Sequence, residues 1–202
     1  MLALGTSLPA FRLPDLDGRL VSPDDVRDAP ALLIAFICHH CPFVRHIRHE
    51  FARVTREYQG RGLAVIAINS NDIEEFPQDG PEGMRQESRE AGYGFPYLFD
   101  ESQDVAKAFR AACTPDLFLF DAARRLVYRG QFDGSHPRCC ARNTNSLVGP
   151  GNVPMRSGGT GSRAQEASHI THTAATAAAC LRVNGDAWRT PSRSSARFQV
   201  ST

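Results

Sequence analysis

The stretch Ala31-Leu32-Leu33-Ile34-Ala35-Phe36-Ile37-Cys38-His39-His40-Cys41-Pro42-Phe43-Val44 decides how this chain is read. Ala31 to Ile37 is a continuous apolar run, the pattern of a strand buried on both faces. After Cys41-Pro42 the apolar positions are Phe43, Val44, Ile47, Phe51, Val54 and Tyr58, which is helical spacing. Proline suits a first helical turn, and Gly60 and Gly62 supply the stop. The two cysteines therefore lie where a buried strand hands over to a helix.

That position carries chemistry. Free amide N–H groups and the positive end of the helix macrodipole stabilise an anion, which predicts a thiolate at Cys38. Two intervening residues bring the Cys41 sulfur within disulfide reach of Cys38. On this reading Cys38, at the exposed end, is the nucleophile. Cys41, partly covered by the helix, attacks the resulting mixed disulfide. His39 and His40 add polar groups expected to lower the Cys38 pKa and make the disulfide more oxidising.

Working outward, Ala10–Leu13 and Arg19–Val21 flank Pro14-Asp15-Leu16-Asp17-Gly18, a hairpin signal. Leu63–Ile68 reads as a second buried strand, Pro81–Ala91 as a helix closed by Gly92, and Tyr97–Phe99 as a short strand. Asp100 is expected to cap a helix holding Val105, Ala106 and Phe109, with Gln103 in a capping box. Leu117–Phe120 and Leu126–Tyr128 pair across Asp121-Ala122-Ala123-Arg124. The order β-β-β-α-β-α-β-α-β-β implies a central mixed sheet covered by helices.

The chain has 202 residues and a formal charge of +1. One domain is the expected count, and the charge makes no case for nucleic acid or an anionic membrane. No run of about 18 apolar residues suggests a membrane span. The first residues lack a basic and then apolar leader pattern, so the chain is expected to be cytoplasmic. Six cysteines are too few for a disulfide scaffold and point to redox or metal chemistry.

The averages conceal a break. Residues 1–134 carry 15 basic and 20 acidic side chains, whereas residues 135–202 carry 8 and 2. Leu, Ile, Val and Phe number 8 in the last 68 residues, below the roughly 20% needed to bury a core. This tail is expected to be largely irregular and disordered, with one marginal helix over 170–183. With 22 Arg and one Lys, the chain suggests a GC-rich gene. A frameshift or fusion near residues 135–140 is the expectation for the tail's origin.

Residues 5–134 resemble the thioredoxin-like superfamily on its AhpC/TSA, or redoxin, branch. The opening Gly5-x-x-x-Pro9-x-Phe11-x-Leu13-Pro14-Asp15-x-Asp17-Gly18 is similar to that branch's N-terminal hairpin, and Phe36–Val44 sits at the CxxC position. Ala67-Ile68-Asn69-Ser70-Asn71-Asp72 and Phe95-Pro96-Tyr97-Leu98-Phe99-Asp100 follow the same plan, and Thr114-Pro115 matches the fold's cis-proline. The resemblance implies an α/β thioredoxin-like fold with an N-terminal hairpin extension and thiol–disulfide exchange at Cys38 and Cys41. It also implies that the Thr114 backbone, set by Pro115, faces the sulfurs and an extended substrate.

Three departures qualify this. Ala31–Phe36 holds no buried acid, so proton transfer must use water, a histidine or another carboxylate. The peroxiredoxin signature Pro-x-x-x-Thr/Ser-x-x-Cys is missing, since Ala31 and Ile34 stand where its proline would. The match also fails after Asp133, where a terminal helix belongs.

The sequence reading is a thiol–disulfide oxidoreductase whose catalytic residues are Cys38 and Cys41, tuned by His39, His40 and Pro42. Cys113 is a possible third thiol. Partners are a protein or small-molecule thiol or disulfide and a recycling reductant or oxidant. No organic cofactor or metal is assigned. The rivals are an AhpC/TSA-type thiol peroxidase with antioxidant activity, a metal-binding module using Cys38, Cys41 and neighbouring histidines, and a non-functional relic. His46 and His49 read as solvated helix residues, and Glu50 and Glu57 as a charged helix face. Asn69, Asn71 and Asp72 read as a strand-end turn. A zinc site from His136, Cys139, Cys140, His169 and His172 has unsuitable spacing.

Overall fold

Alternation along one strand sorts the core into two layers. In the computed structural model, which describes residues 2–133, the central strand β3 (Ala31–Phe36) is buried along its whole length. Ala31, Leu33 and Ala35 join one apolar cluster, with Val44, Ile47, Phe51 and Met84. Leu32, Ile34 and Phe36 join another, with Phe11, Val21, Phe109, Phe118 and Phe120. Side chains alternate between faces in a strand, so both faces must be covered.

β3 pairs in parallel with β4 (Leu63–Asn69) in the register Ala31 to Leu63, and β4 pairs in parallel with β5 (Tyr97–Phe99). On its other side β3 pairs antiparallel with β6 (Asp116–Phe120), which turns back into β7 (Leu126–Gly130). The sheet order is β5-β4-β3-β6-β7. Helices α1 (Pro42–Gln59) and α2 (Pro81–Ala91) supply the first cluster's helical residues, and α3 (Asp104–Phe109) contributes to the second. The hairpin β1 (Leu13–Pro14) and β2 (Leu20–Val21) packs Val21 into that second cluster. This is the α/β mixed sheet, flanked by helices and preceded by a hairpin, that the sequence predicted.

Local chemistry explains the boundaries. In the hairpin turn the Asp15 carboxylate accepts from the amides of Asp17 and Arg19, at 2.9 and 2.8 Å, and Gly18 takes a φ of +81°. The exposed face of α1 is laced by Arg53 with Glu50 and Glu57 and by Arg61 with Glu57. The capping box expected at α3 does not form. Its N-cap is Gln103, in a left-handed conformation, and the Gln103 amide group donates instead to the Ser70 carbonyl at 2.9 Å. Asp100 still caps from outside the helix, accepting from the Ala106 N–H at 3.0 Å. No helix among the described residues is long and apolar enough to cross a membrane. The expectations for residues 135–202, including the helix over 170–183 and the His136 to His172 cluster, lie outside the described residues.

Candidate active site

β3 ends at Phe36, and the Ile37 N–H still donates to the Ile68 carbonyl at 3.0 Å. Cys38, His39 and His40 then form a short connection before α1. Pro42 is its first residue, which makes Cys41 the N-cap. The helix N-terminus therefore serves Cys41, not Cys38 as the sequence reading had it. The Phe43 and Val44 amides make no cap hydrogen bond to the Cys41 side chain, but they favour its anion from the first turn of the helix. The order of exposure is also reversed: Cys38 is 0% exposed and Cys41 8%.

Both cysteines are free, and each bears on the ionisation of the other. Cys38 lowers the Cys41 thiol below its ordinary value, helped by Thr114 and by the Val44 and Phe43 amides. Cys41, together with burial, pushes the Cys38 thiol above its ordinary range. Of the two, Cys41 is the sulfur that its surroundings favour as the anion. Neither histidine is among the groups that move the Cys38 thiol, whose direction is upward.

The peptide bond Thr114-Pro115 is cis. It brings Thr114 against both sulfurs: Oγ1 lies 3.2 Å from Cys38 Sγ, and the Thr114 carbonyl oxygen lies 3.2 Å from Cys41 Sγ, within reach of its thiol form. The segment is anchored by Arg129, which donates to Asp116 Oδ2 at 2.7 Å and to the Arg110 carbonyl at 3.0 Å. Both side chains of the Arg129–Asp116 pair are more than nine-tenths buried.

Two buried acids outside β3 were passed over by the sequence reading. Asp79 closes a short 3₁₀ turn (Pro77–Asp79) and is fully buried. Its carboxylate accepts from the His40 N–H at 2.8 Å, from His40 Nδ1 and from Asn71 Nδ2 at 2.7 Å. Asn69, also buried, donates from its side chain to the Asp79 carbonyl. Asn69 and Asn71 thus belong to the site, while Asp72 makes local bonds, accepting from the Glu74 N–H with its side chain and from the Phe76 N–H with its carbonyl. The His40 ring stacks on Phe76 at 4.4 Å, and its Nδ1 lies 3.9 Å from Cys38 Sγ.

Glu87 on α2 is the second acid, also fully buried. It takes bonds from the hydroxyls of Tyr93 and Tyr97, both at 3.1 Å, and Tyr97 also reaches the Ile37 carbonyl at 3.2 Å. Burial pushes its carboxyl up to about 7 despite those bonds. A signal existed for Glu87: it occupies the apolar stripe Met84-x-x-Glu87-x-x-x-Ala91, where a carboxylate has no solvent to face. Asp79 has no comparable local signature.

His39 points elsewhere. Its Nδ1 is buried without a hydrogen-bond partner among the described residues, and its ring lies near Gly83 of α2. Cys41, His40 and Thr114 open onto a cleft of about 490 Å³ that also takes in Phe76, Lys107 and Cys113. Cys113 is exposed, and burial of its sulfur nevertheless raises its thiol pKa. A larger cavity of about 770 Å³, between Phe43, Val127 and Phe132, includes Thr114 but not Cys41. The chemistry faces the smaller cleft.

The AhpC/TSA family model matches residues 4–129. A hypothetical protein from Sinorhizobium meliloti is 50% identical, with a TM-score of 0.67, over 73% of this chain and 79% of its own. An uncharacterized conserved protein from Geobacillus kaustophilus is 47% identical, with a TM-score of 0.66, over 74% and 77%. The thioredoxin domain of a thiol-disulfide oxidoreductase from Bacteroides vulgatus shares the fold at 19% identity and a TM-score of 0.55, over 65% and 90%. No curated protein matches the chain. With its thioredoxin-like sheet and the family match across most of the described residues, this chain belongs to the AhpC/TSA family.

Proposed function

We propose that the protein is a thiol–disulfide oxidoreductase in which Cys41 attacks and Cys38 resolves. The observation that carries this reading is the placement of the two sulfurs: Cys41 caps α1 and opens onto the cleft, while Cys38 is fully buried behind it. The Cys41 thiolate attacks one sulfur of a substrate disulfide, forming a mixed disulfide and expelling the other sulfur as a thiolate. Cys38 then loses its proton and attacks Cys41 Sγ. The second substrate thiolate leaves, and both leaving groups take up protons. A disulfide has been reduced to two thiols while Cys38 and Cys41 have been oxidised to a disulfide. A recycling dithiol restores them; run in reverse, the same steps oxidise a substrate dithiol.

Within the cleft, Thr114 offers its backbone to an extended substrate beside Cys41.

The experiment is mixed-disulfide trapping with a chromogenic aryl disulfide. Cys38→Ser should accumulate an adduct on Cys41, and Cys41→Ser should give none. An adduct on Cys38 in the second variant would reverse the assigned roles. The family match favours one other reading, in which the Cys41 thiolate attacks a peroxide to give a sulfenic acid that Cys38 condenses with loss of water. Peroxide that oxidises the pair faster than any disulfide tested would favour it.

A further inference from the structure

The residues around Cys38 form a set of donors that the exchange reaction does not use as a set. Cys38 Sγ, a His40 ring nitrogen and an Asp79 carboxylate oxygen all lie within 4.8 Å of one another. They come from three places: the end of β3, the connection to α1 and the 3₁₀ turn after β4. We infer that in the dithiol state these three residues form a zinc site.

One pair of donors already has the spacing the ion needs, while His40 Nδ1 and Asp79 Oδ2, now hydrogen-bonded to each other, would part to about 3.4 Å to admit it. In a tetrahedral site a thiolate at about 2.3 Å and an imidazole nitrogen at about 2.1 Å lie about 3.6 Å apart. Cys38 Sγ and His40 Nδ1 are 3.9 Å apart. The donor types suit it as well, because thiolate and imidazole favour zinc over calcium or magnesium, which take oxygen ligands.

The ligands are already oriented from behind. Asp79 Oδ1 is held by the His40 N–H, Asp79 Oδ2 by Asn71 Nδ2, and Cys38 Sγ by Thr114 Oγ1. Asp79 and Cys38 are fully buried, so the ion would be held by ligands shielded from solvent.

Binding displaces the Cys38 thiol proton to solvent, and the His40 proton moves from Nδ1 to Nε2. The ion, one thiolate and one carboxylate sum to zero charge. Three protein ligands leave a fourth position open, for water or for a group entering the cleft. With its sulfur on the metal, Cys38 cannot attack a mixed disulfide, so zinc holds the pair reduced and idle. Oxidation reverses this: as the Cys38–Cys41 bond forms, two electrons pass to the substrate disulfide, the zinc–sulfur bond breaks and the ion leaves. This last step rests on the exchange reading above; the binding does not.

The test is titration of the reduced, metal-stripped full chain with cobalt(II), followed by zinc competition against a chromogenic chelator. One equivalent should bind with a thiolate-to-cobalt charge-transfer band. The band should be lost in Cys38→Ser and unchanged in Cys113→Ser. Affinity should fall about 100-fold in Asp79→Asn. Because a buried position can fail to fold, His40→Gln, at a half-buried ring, repeats the measurement. No stoichiometric binding, or binding indifferent to both Asp79 and His40, overturns the site. Band loss on oxidation supports the release step, and a band that survives oxidation overturns it. If exchange activity is absent while cobalt binds as described, the exchange reading fails and the zinc site stands. If exchange proceeds and no cobalt binds, the zinc site alone fails.

Discussion

Replacing Glu87 by Gln should change the pH dependence of stability by a defined amount. Glu87 is fully buried and its carboxyl is raised from 4.5 to about 7, chiefly by burial. Below 4.5 the folded and unfolded chains both keep the proton, and Glu87 adds no pH dependence. Between 4.5 and 7 the unfolded chain releases it first, so stability falls as pH rises. Once pH exceeds the folded value, ionising this buried group has removed about 3 kcal/mol. The substituted amide carries no such charge. Its carbonyl can still accept from one tyrosine, and its NH₂ group can donate to the other. The two proteins should be unfolded in urea across the range from about pH 4 to about pH 8. The difference, Glu87→Gln variant minus wild type, should grow by about 3 kcal/mol toward high pH, while carboxylates common to both cancel. A difference flat to within about 0.5 kcal/mol would refute the reasoning, since that is the noise expected of independent substitutions. The proton also has a structural reading. A neutral Glu87 donates to Tyr97 and frees that hydroxyl for the Ile37 carbonyl; an ionised one claims the hydroxyl for itself.

Three further substitutions test other parts of the structure. A Cβ at Gly83 would sit 1.8 Å from the Gln78 carbonyl oxygen, next to Asp79. Gly83→Ala should cost about 1–3 kcal/mol in urea unfolding and slow exchange by displacing the Asp79 turn; unchanged stability would show that the turn yields freely. Phe109, fully buried among Phe11, Phe36, Phe118 and Phe120, should lose about 3–5 kcal/mol on truncation to Ala, read as a fall in denaturation midpoint at constant slope. Arg129→Met strands Asp116 without its cation and should cost about 3–5 kcal/mol by thermal or urea unfolding. A loss below about 1 kcal/mol would mean that the pair contributes as little as an exposed one.

The legible parts of the chain were those whose cause is local. The seven apolar residues of Ala31–Ile37 and the spacing from Phe43 to Tyr58 state their burial within a few residues, and β3 and α1 followed. The helix register was also legible and was misread: proline favours the first helical position, which already makes Cys41 the cap. Assigning the anion to Cys38 ignored the three residues between strand end and helix start. Gln103 was misjudged because its partner, the Ser70 carbonyl, is 33 positions away in sequence. Asp79 was beyond reach for the same reason: its importance lies in what the sheet and the turn after β4 bring to His40, and no spacing rule expresses that. Thr114 and Pro115 could be placed only because a family pattern carried them.

Thr114 touches Cys38 and Cys41 with different atoms across 76 and 73 residues of chain. The group that most favours the Cys41 anion, by contrast, is Cys38, three residues away, followed by Thr114 and then the amides of its own helix. Activation is therefore chiefly short-range, and supervision of the partner sulfur is long-range. A molecule loosened around β6 keeps an aggressive thiolate but loses the alignment that lets Cys38 finish the reaction. Such a molecule captures disulfides without releasing them. Slight damage far from α1 thus converts a turnover device into a covalent trap, while the residues of the reactive motif itself remain intact.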